Sequence, residues 1–458
     1  MRLSEWENAA LRQEAPAVWQ ALSPLGRRAG AGAGAPAGSG PPSGPAGTMV
    51  LAPRSGPAAM TAGEAPAPPE EPPVPSGPAA AAGQELRSRL AAMLAGLGGA
   101  AEVRAALAAA PAAGWPELRR LWRERQRRGV AAGVPSSLPL VTAGLSHALS
   151  LAADLFAGDG KAVAVPEPFW GSYRQTFAVR GGGRLMTAPA YREGGFDPDA
   201  FARPLAALPD GEPAVVLVNL PSNPGGYAPP AAERRQLLES LLAAAERRPL
   251  VVVCDDAYAG LVYDPEVPRR SPFWELAGAH PNLLAVKVDG ATKEVCFFGG
   301  RVGFLTFGVE AGSPAARALE AKAAALVRAG AGPAPAASQA VLLAALRDGD
   351  LEAQVEAVRR LLEERWRVLR RALAATDRGR VEWLPFNAGC FALVEVPARL
   401  SVSAVEVRRH LLARHSTGLV SIAPRYLRIA HCSVAAAALP ELVRRLEAGI
   451  GELAAARR

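Results

Sequence analysis

Short apolar runs alternate with amphipathic stretches over most of the chain. Seven runs have the length and composition of buried strands, at residues 138–142, 162–167, 183–188, 214–220, 250–255, 283–288 and 302–307. Helix-like stretches lie between most of them, at residues 146–156, 170–179 and 231–247. This alternation predicts an α/β fold with a mostly parallel seven-stranded sheet that is flanked by helices on both faces.

The pattern becomes helical after Glu310 and then strand-like again. A long amphipathic stretch at 350–376 should lead into a smaller α+β domain. Its strands are expected at 390–396 and 426–432, and its helices at 403–415 and 437–456. We therefore predict a large domain over residues 84–340 and a small C-terminal domain over residues 341–458.

The first 83 residues have a different character. Ser4 and Glu7 form a capping box, which predicts an N-terminal helical arm within residues 1–28. Residues 29–83 consist mostly of Ala, Gly, Pro and Ser. Such a segment buries too little apolar surface to offset its ordering entropy, so we predict that it is disordered.

The composition limits the possible cellular location and cofactors of the protein. No run of 18 apolar residues is free of charges or Pro/Gly breaks, so no membrane span is expected. The N-terminus lacks the apolar core of a signal peptide. The four cysteines show no metal-binding spacing, so we predict no metal site. Each lies in or beside an apolar run, where a buried reduced thiol is expected, and this indicates a reducing, cytoplasmic location.

The net charge of +8 raises the possibility of a nucleic-acid partner. The densest basic stretch, residues 119–128, reads as a helix with a solvated face. Few aromatic residues interleave with it, and no nucleic-acid motif accompanies it. We therefore predict no nucleic-acid partner.

Lys293 is one of only four lysines and lies in a polar loop between the last two apolar runs, with Arg301 eight residues later. Unlike arginine, a desolvated lysine can lose its proton and form a Schiff base. Taken alone, the residue fits a solvated loop lysine better.

Ligands of doubly wound sheets bind beyond the carboxyl ends of the strands, so the residues there are candidates. Each also has an ordinary structural explanation. Asp255 ends an apolar run, where it needs a cationic partner such as a protonated ring nitrogen or else caps the next helix. The amides of Ala143, Gly144 and Leu145 lie at a helix start, which suits a phosphate. The side chain of Trp170 could stack on a flat ring. The remaining candidates are Asn223 and Tyr258.

The order of these features resembles the class I aminotransferases, which are fold type I enzymes that use pyridoxal 5'-phosphate (PLP). Asn223 precedes Asp255 by 32 residues, and Asp255 precedes Lys293 by 38, gaps similar to those of the family. Arg428, in a C-terminal apolar run, looks like the family's arginine for the substrate carboxylate. The resemblance covers about residues 105–458.

The resemblance implies a role for each candidate. Lys293 would form the Schiff base with PLP and move a proton between the substrate Cα and the cofactor, while Asp255 would pair with the ring nitrogen. The other implied contacts are Trp170 stacked on the ring, Asn223 and Tyr258 bonded to its 3' oxygen, Arg301 with the amides of Ala143, Gly144 and Leu145 on the phosphate, and Arg428 with Asn223 on the substrate.

Two positions and one segment depart from the family pattern. Gly290 stands where many members have a phosphate-binding serine, and Ala109 where a tyrosine often reaches the neighbouring subunit's site. Residues 29–83 replace the usual glycine-containing substrate loop. These departures bear on phosphate affinity and on the part of the site that a dimer would share.

The prediction from the sequence is a PLP-dependent aminotransferase that acts on an amino acid and a 2-oxo acid, as a cytoplasmic homodimer. A PLP-dependent lyase is the first alternative, since it needs the same proton abstraction at Cα. The second is a non-catalytic protein, either a degenerate homologue or a transcription regulator. A regulator needs a winged-helix domain before the site, which the low-complexity composition of the first 83 residues disfavours.

Overall fold

The computed structural model describes residues 108–192, 194–422 and 424–457, together with Glu85, Ser88, Ala105 and Ala106. The predicted N-terminal arm and low-complexity segment lie outside these residues.

A seven-stranded sheet forms the centre of the larger part of the molecule, as the apolar pattern predicts. Its strands lie in the spatial order β1-β9-β8-β7-β6-β2-β3, and β9 alone runs opposite to the other six. A separate two-stranded hairpin is formed by β4 and β5. The strands are β1 (Leu140–Thr142), β2 (Ala162–Glu167), β3 (Arg184–Pro189), β4 (Tyr191–Arg192), β5 (Gly195–Phe196), β6 (Ala214–Val218), β7 (Leu250–Asp255), β8 (Leu283–Gly290) and β9 (Gly303–Phe307).

The helices follow the predicted amphipathic stretches closely, with one exception. Residues 170–179, expected to be α-helical, instead contain a π-helical segment at Arg174–Arg180. The α-helices are α1 (Pro116–Arg127), α2 (Leu145–Phe156), α3 (Ala231–Arg247), α4 (Phe273–Leu276), α5 (Ala291–Glu294), α6 (Pro314–Ala329), α7 (Ala336–Arg347), α8 (Leu351–Ala374), α9 (Ala404–His415) and α10 (Leu439–Ala455). The predicted domain boundary after residue 340 falls inside α7 and stays a prediction.

Both faces of the sheet are covered. All residues of β6, β7 and β8 are buried. Because successive side chains of a strand point to opposite faces, Val251 and Val253 pack into the cluster that holds α2 and α6, whereas Val252 and Cys254 pack into the cluster that holds α3. The near-continuous apolar runs of the sequence are explained by this two-sided burial.

The smaller sheet is antiparallel and lies in the C-terminal part of the chain. Its strands are β10 (Glu382–Trp383), β11 (Ala392–Glu395), β12 (Val420–Ile422) and β13 (Tyr426–Ile429), in the order β10-β11-β13-β12. Helix α9 begins with a capping box between Ser403 and Glu406. Arg428 lies on β13, opposite Leu393 of β11 and Val420 of β12.

The basic helix α1 has the predicted solvated face, where the side chains of Arg120 and Glu124 are more than half exposed, but its other side packs against the protein. Arg119 donates to the carbonyl oxygen of Pro139 and pairs with Glu320. Arg125 is buried and pairs with Glu294, the residue after Lys293, and with Glu352. These arginines therefore anchor the helix to neighbouring loops and helices.

Across the part of the chain that the structure describes, no helix is both long enough and apolar enough to cross a bilayer.

Candidate active site

Most of the residues singled out from the sequence line one cleft. Its empty space is about 530 Å³, part of it open to solvent. The lining residues are Leu145, Ser146, Leu149, Trp170, Asn219, Asn223, Asp255, Ala257, Tyr258, Lys293 and Arg301.

Sheet topology explains why residues so distant in sequence meet here. Strands β2, β6, β7 and β8 are parallel neighbours, so their carboxyl ends share one edge of the sheet. Trp170 follows β2, Asn223 follows β6, Asp255 ends β7, and Lys293 lies in α5 directly after β8. The cleft is the ligand-binding position that open α/β sheets provide.

Asp255 is a buried carboxylate at the base of the cleft, with 4% of its surface exposed. Tyr173 donates its hydroxyl to Asp255 Oδ2 at 2.5 Å, and the Ala257 amide donates to Oδ1 at 3.2 Å. Burial raises the pKa of Asp255, while the bonds from Tyr173 and Ala257 and the charge of Lys293 act to lower it. The hydrogen bond from Ala257 caps a turn at residues 257–260. No helix begins directly after β7, so the helix cap considered from the sequence is wrong. A cationic ligand atom would further compensate its desolvation.

Lys293 has the environment of a reactive amine. Its Nζ lies 5.7 Å from the centre of the Tyr258 ring. Burial lowers its pKa and Arg301 lowers it further, against the opposing charge of Asp255. A lowered pKa increases the fraction of neutral, nucleophilic amine at a given pH.

The guanidinium group of Arg301 lies against Gly144, the residue that precedes α2. A Cβ atom on Gly144 would be 2.4 Å from Arg301 Nη2, so the guanidinium group occupies space that only glycine leaves free. Gly144 has φ 87°, which also favours glycine. The close approach concentrates positive charge at a helix N-terminus, where the helix dipole adds to it.

The amides at the start of α2 differ from the expectation. Ala143 donates its amide to His147 Nδ1 at 3.0 Å, and Gly144 donates to the Thr142 carbonyl oxygen at 2.7 Å. Both amides are therefore engaged inside the loop. The amides without an intrahelical partner are those of Leu145 and Ser146, since they begin the helix, and both residues line the cleft.

Gly290 has no room for a side chain. A Cβ atom at this position would lie 2.7 Å from the Val302 carbonyl oxygen and 2.8 Å from Gly303 Cα. The backbones of β8 and β9 approach too closely here for the serine that many family members carry. The departure seen in the sequence is thus built into the packing of these two strands.

Arg428 reaches the rim of the cleft from the small sheet. Its Nη1 donates to Asn223 Oδ1 at 3.0 Å, and its guanidinium lies 4.3 Å from the centre of the Phe391 ring. Its Nε is buried and has no hydrogen-bond partner among the described residues. A buried donor without a partner is costly, so the group is suited to an anionic ligand.

Two polar side chains that support the cleft were not singled out from the sequence as site residues. Asn219 donates to the Asp255 carbonyl oxygen at 2.8 Å and accepts the Asn223 amide at 2.8 Å, so it links β6 to β7. Tyr173 holds the Asp255 carboxylate. Asn219 could have been noticed as a polar residue near the end of an apolar run, and Tyr173 as a polar aromatic three residues after Trp170.

Asp256 turns away from the cleft into a buried ionic cluster. Lys287 Nζ lies 3.1 Å from Asp256 Oδ2 and 2.5 Å from Asp289 Oδ2, and Trp122 Nε1 donates to Asp289 at 3.1 Å. Burial raises the pKa of Asp256 to about 6, against the lowering effect of Lys287. Of the two adjacent aspartates, only Asp255 lines the cleft.

A seven-stranded sheet with a lysine at its carboxyl edge, joined to a smaller C-terminal sheet, defines the fold type I architecture. Residues 79–446 match the family described as aminotransferase class I and II. The chain belongs to this family.

Individual relatives agree with this assignment. The aspartate/prephenate aminotransferase of Thermus thermophilus is 31% identical over 195 residues, which are 43% of this chain and 47% of that protein. A 2-aminoadipate transaminase from another strain of the same species is 29% identical over 304 residues, 66% of this chain and 69% of that protein. The matches thus span about half the length of the first relative and more of the second.

Solved structures extend the similarity over more of the chain. The α-aminoadipate aminotransferase LysN of Thermus thermophilus, complexed with N-(5'-phosphopyridoxyl)-L-leucine, aligns with a TM-score of 0.65 and 26% identity, covering 81% of this chain and 90% of that one. The aromatic aminotransferase of Pyrococcus horikoshii aligns with a TM-score of 0.64 and 19% identity, covering 81% and 92%. The second comparison shows the fold alone.

Proposed function

We propose that this protein is a PLP-dependent aminotransferase, which moves an amino group from an amino acid to a 2-oxo acid. The observation that carries the proposal is one cleft that contains Lys293, Asp255 and Arg301, with Arg428 at its rim. These four side chains offer a nucleophilic amine, a buried anion and two cations. The family membership and the named relatives support the same activity.

The residues of the cleft fit PLP. The guanidinium of Arg301 against Gly144, with the first amides of α2, suits a phosphate. At the other side, the buried carboxylate of Asp255 suits a protonated ring nitrogen. We assign the phosphate to Arg301 and the amides of Leu145 and Ser146, and this assignment replaces the amides of Ala143 and Gly144.

The remaining contacts follow from the lining of the cleft. Trp170 and Ala257 both line it, and we assign Trp170 to stacking on the ring. Asn223 and Tyr258 are assigned to the 3' oxygen of the ring, as the family resemblance implies. Lys293 would hold PLP covalently through its amine.

Bound PLP supplies an electron sink for the negative charge that forms at the substrate Cα when its proton leaves. Asp255, held by Tyr173 and Ala257, keeps the ring nitrogen protonated. After the amino group of the substrate has displaced it from the cofactor, the amine of Lys293 would take and return the proton at the substrate Cα, for which its lowered pKa is an advantage. Arg428 fixes the substrate carboxylate, and its bond to Asn223 aims the guanidinium towards the cleft.

The test is an absorbance spectrum of the purified protein with PLP, followed by addition of single amino acids. An aminotransferase converts a suitable amino acid to its 2-oxo acid and leaves the cofactor in the pyridoxamine form. Release of ammonia or a thiol, without accumulation of that form, would instead establish the lyase. A protein that binds no PLP would contradict both.

Arg428→Ala should weaken amino-acid binding and leave PLP bound. A two-pronged, charge-assisted pair in a partly dry site contributes roughly 2–4 kcal/mol, which is about a 30- to 1000-fold change in affinity. Spectral titration with the amino donor measures it.

The matched control is Arg425→Ala. Arg425 is three residues earlier, is exposed, and pairs with Glu395 outside the cleft. Donor affinity should therefore be unchanged in this variant. Equal effects of the two substitutions would reject the assignment of Arg428.

We also propose a cytoplasmic homodimer. The cysteines Cys254, Cys296, Cys390 and Cys432 form no disulfide bond, which is consistent with a reducing compartment. Phe298, three residues before Arg301, has 51% of its surface exposed, which suits an interface close to the cleft. Sedimentation equilibrium should therefore give twice the chain mass of 47.5 kDa, whereas the mass of a single chain would exclude the dimer.

A further inference from the structure

Two of the five histidines of the chain converge on one carboxylate, in the small domain and away from the cleft. His410 Nε2 lies 2.6 Å from Glu452 Oε2, and His415 Nε2 lies 3.1 Å from the same oxygen. One ligand atom from each of the three residues lies within 4.8 Å of the other two. The two histidine rings are 5.7 Å apart, centre to centre.

The packing of two helices creates this convergence. His410 and His415 belong to α9, and Glu452 belongs to α10. Gly449 lies one turn before Glu452, and a Cβ atom there would be 2.7 Å from Leu411 Cδ2 and 3.5 Å from His410 Cδ2. The absence of a side chain at Gly449 therefore allows α9 to approach α10 closely enough for Glu452 to reach both rings.

We propose that His410, His415 and Glu452 form a zinc-binding site. Zinc bonds to histidine nitrogen at about 2.0–2.1 Å and to carboxylate oxygen at about 2.0–2.2 Å in tetrahedral geometry, which places two ligand atoms about 3.3 Å apart. The observed nitrogen–oxygen distances of 2.6 and 3.1 Å would need to widen by about 0.7 and about 0.2 Å. Glu452 can supply the movement, since 49% of its side chain is exposed.

The chemistry of the three ligands favours zinc over magnesium or calcium. Imidazole nitrogen suits zinc, whereas magnesium and calcium prefer oxygen ligands throughout. Solvent would complete the fourth position on the exposed side. His415 is the last residue of α9, so the negative end of the helix dipole also faces the cation.

One nearby arginine is already paired with a carboxylate. Arg445 donates to the His415 carbonyl oxygen and pairs with Glu441 at 2.7 Å. A bound ion would join α9 to α10, and α9 packs against β12 and β13. Zinc should therefore stabilise the small domain, which carries Arg428, without taking part in the chemistry of the cleft.

The experiment measures zinc binding to the PLP-loaded protein by competition with a chromogenic chelator. The wild type should bind one more equivalent than the variant with both His410→Gln and His415→Gln. Zinc should also raise the Tm of the wild type and not that of the double variant. Transaminase activity without added zinc should be the same in both.

His280→Gln is the matched control. His280 Nε2 lies 3.2 Å from Glu246, so it forms a similar histidine–carboxylate pair without a second histidine. This variant should keep the full zinc stoichiometry. Equal stoichiometry in the wild type and the double variant would overturn the proposal. So would a zinc-edge X-ray absorption spectrum that shows sulfur ligands instead of imidazole.

Discussion

Lys293→Ala is expected to abolish covalent attachment of PLP and to lower turnover by at least the roughly 10²–10⁴-fold that a positioned acid–base group contributes. The structure places this amine in the cleft with Asp255 and Arg301, and burial lowers its pKa. Alanine removes both the nucleophile and the group that moves the proton at the substrate Cα. Loss of the visible absorbance band of PLP-loaded protein measures the first effect, and steady-state assay of 2-oxo acid formation measures the second.

The scarcity of lysine makes the test sharp. Borohydride reduction of the PLP-loaded wild type should label one peptide, which contains residue 293, out of only four lysines in the chain. Lys322→Ala is the matched control. Burial lowers the pKa of Lys322 as it does that of Lys293, but Lys322 lies in α6 and does not line the cleft. Label on Lys322, or wild-type labelling in Lys293→Ala, would show that the assignment is wrong.

Asp255→Asn should lower turnover by on the order of 10²–10³-fold, the range for loss of one preorganised electrostatic contact. The substitution removes the negative charge and nearly keeps the shape, and Tyr173 can still donate to the remaining side-chain oxygen. Without the carboxylate, the ring nitrogen of bound PLP would lose its proton. The ring would then stabilise the negative charge at the substrate Cα much less well. Some PLP should remain bound through Lys293 and Arg301, so the measurement compares turnover with cofactor content.

Asp256→Asn is the control for Asp255→Asn, and the structure defines what it should do. It removes one of the two carboxylates around buried Lys287, so we expect a loss of about 1–3 kcal/mol in the free energy of unfolding. Activity per folded molecule should stay close to that of the wild type, since Asp256 does not line the cleft. If Asp256→Asn lowers turnover strongly and Asp255→Asn does not, Asp255 is not the partner of the ring nitrogen.

The sheet was predictable because a strand that is buried on both faces consists almost entirely of apolar residues, and such runs are visible in the sequence. Strands β6 and β7 are almost entirely apolar, and β8 is apolar apart from Lys287 and Asp289. Asn219 and Asp255, the polar residues at the ends of the first two runs, lie at the ligand edge. For the same reason the sequence alone was enough to place Asp255, Asn223 and Lys293 at the cleft. Their strands are parallel neighbours, and the alternation of strands and helices already implied this arrangement.

The sequence could not show that the amides of Ala143 and Gly144 are already hydrogen-bonded, because a backbone amide carries no side-chain signal. Whether such an amide is free depends on the turn before the helix and on His147, which accepts the Ala143 amide. The π-helical segment at Arg174–Arg180 was missed for a similar reason, since a helical pattern does not reveal which backbone hydrogen bonds form.

The sequence by itself determined the class of fold, the family, and the side chains at the carboxyl ends of the strands, because burial and spacing along the chain encode these. Only the tertiary structure decided how polar side chains pair across long separations. Tyr173 and Asp255 are 82 residues apart, and Trp122 and Asp289 are 167 apart. Arg428 and Asn223 are 205 residues apart, and they meet only because the small sheet packs beside the cleft. Each such pair forms only if two elements that are distant in sequence pack at the right separation, and no local pattern of residues specifies that separation.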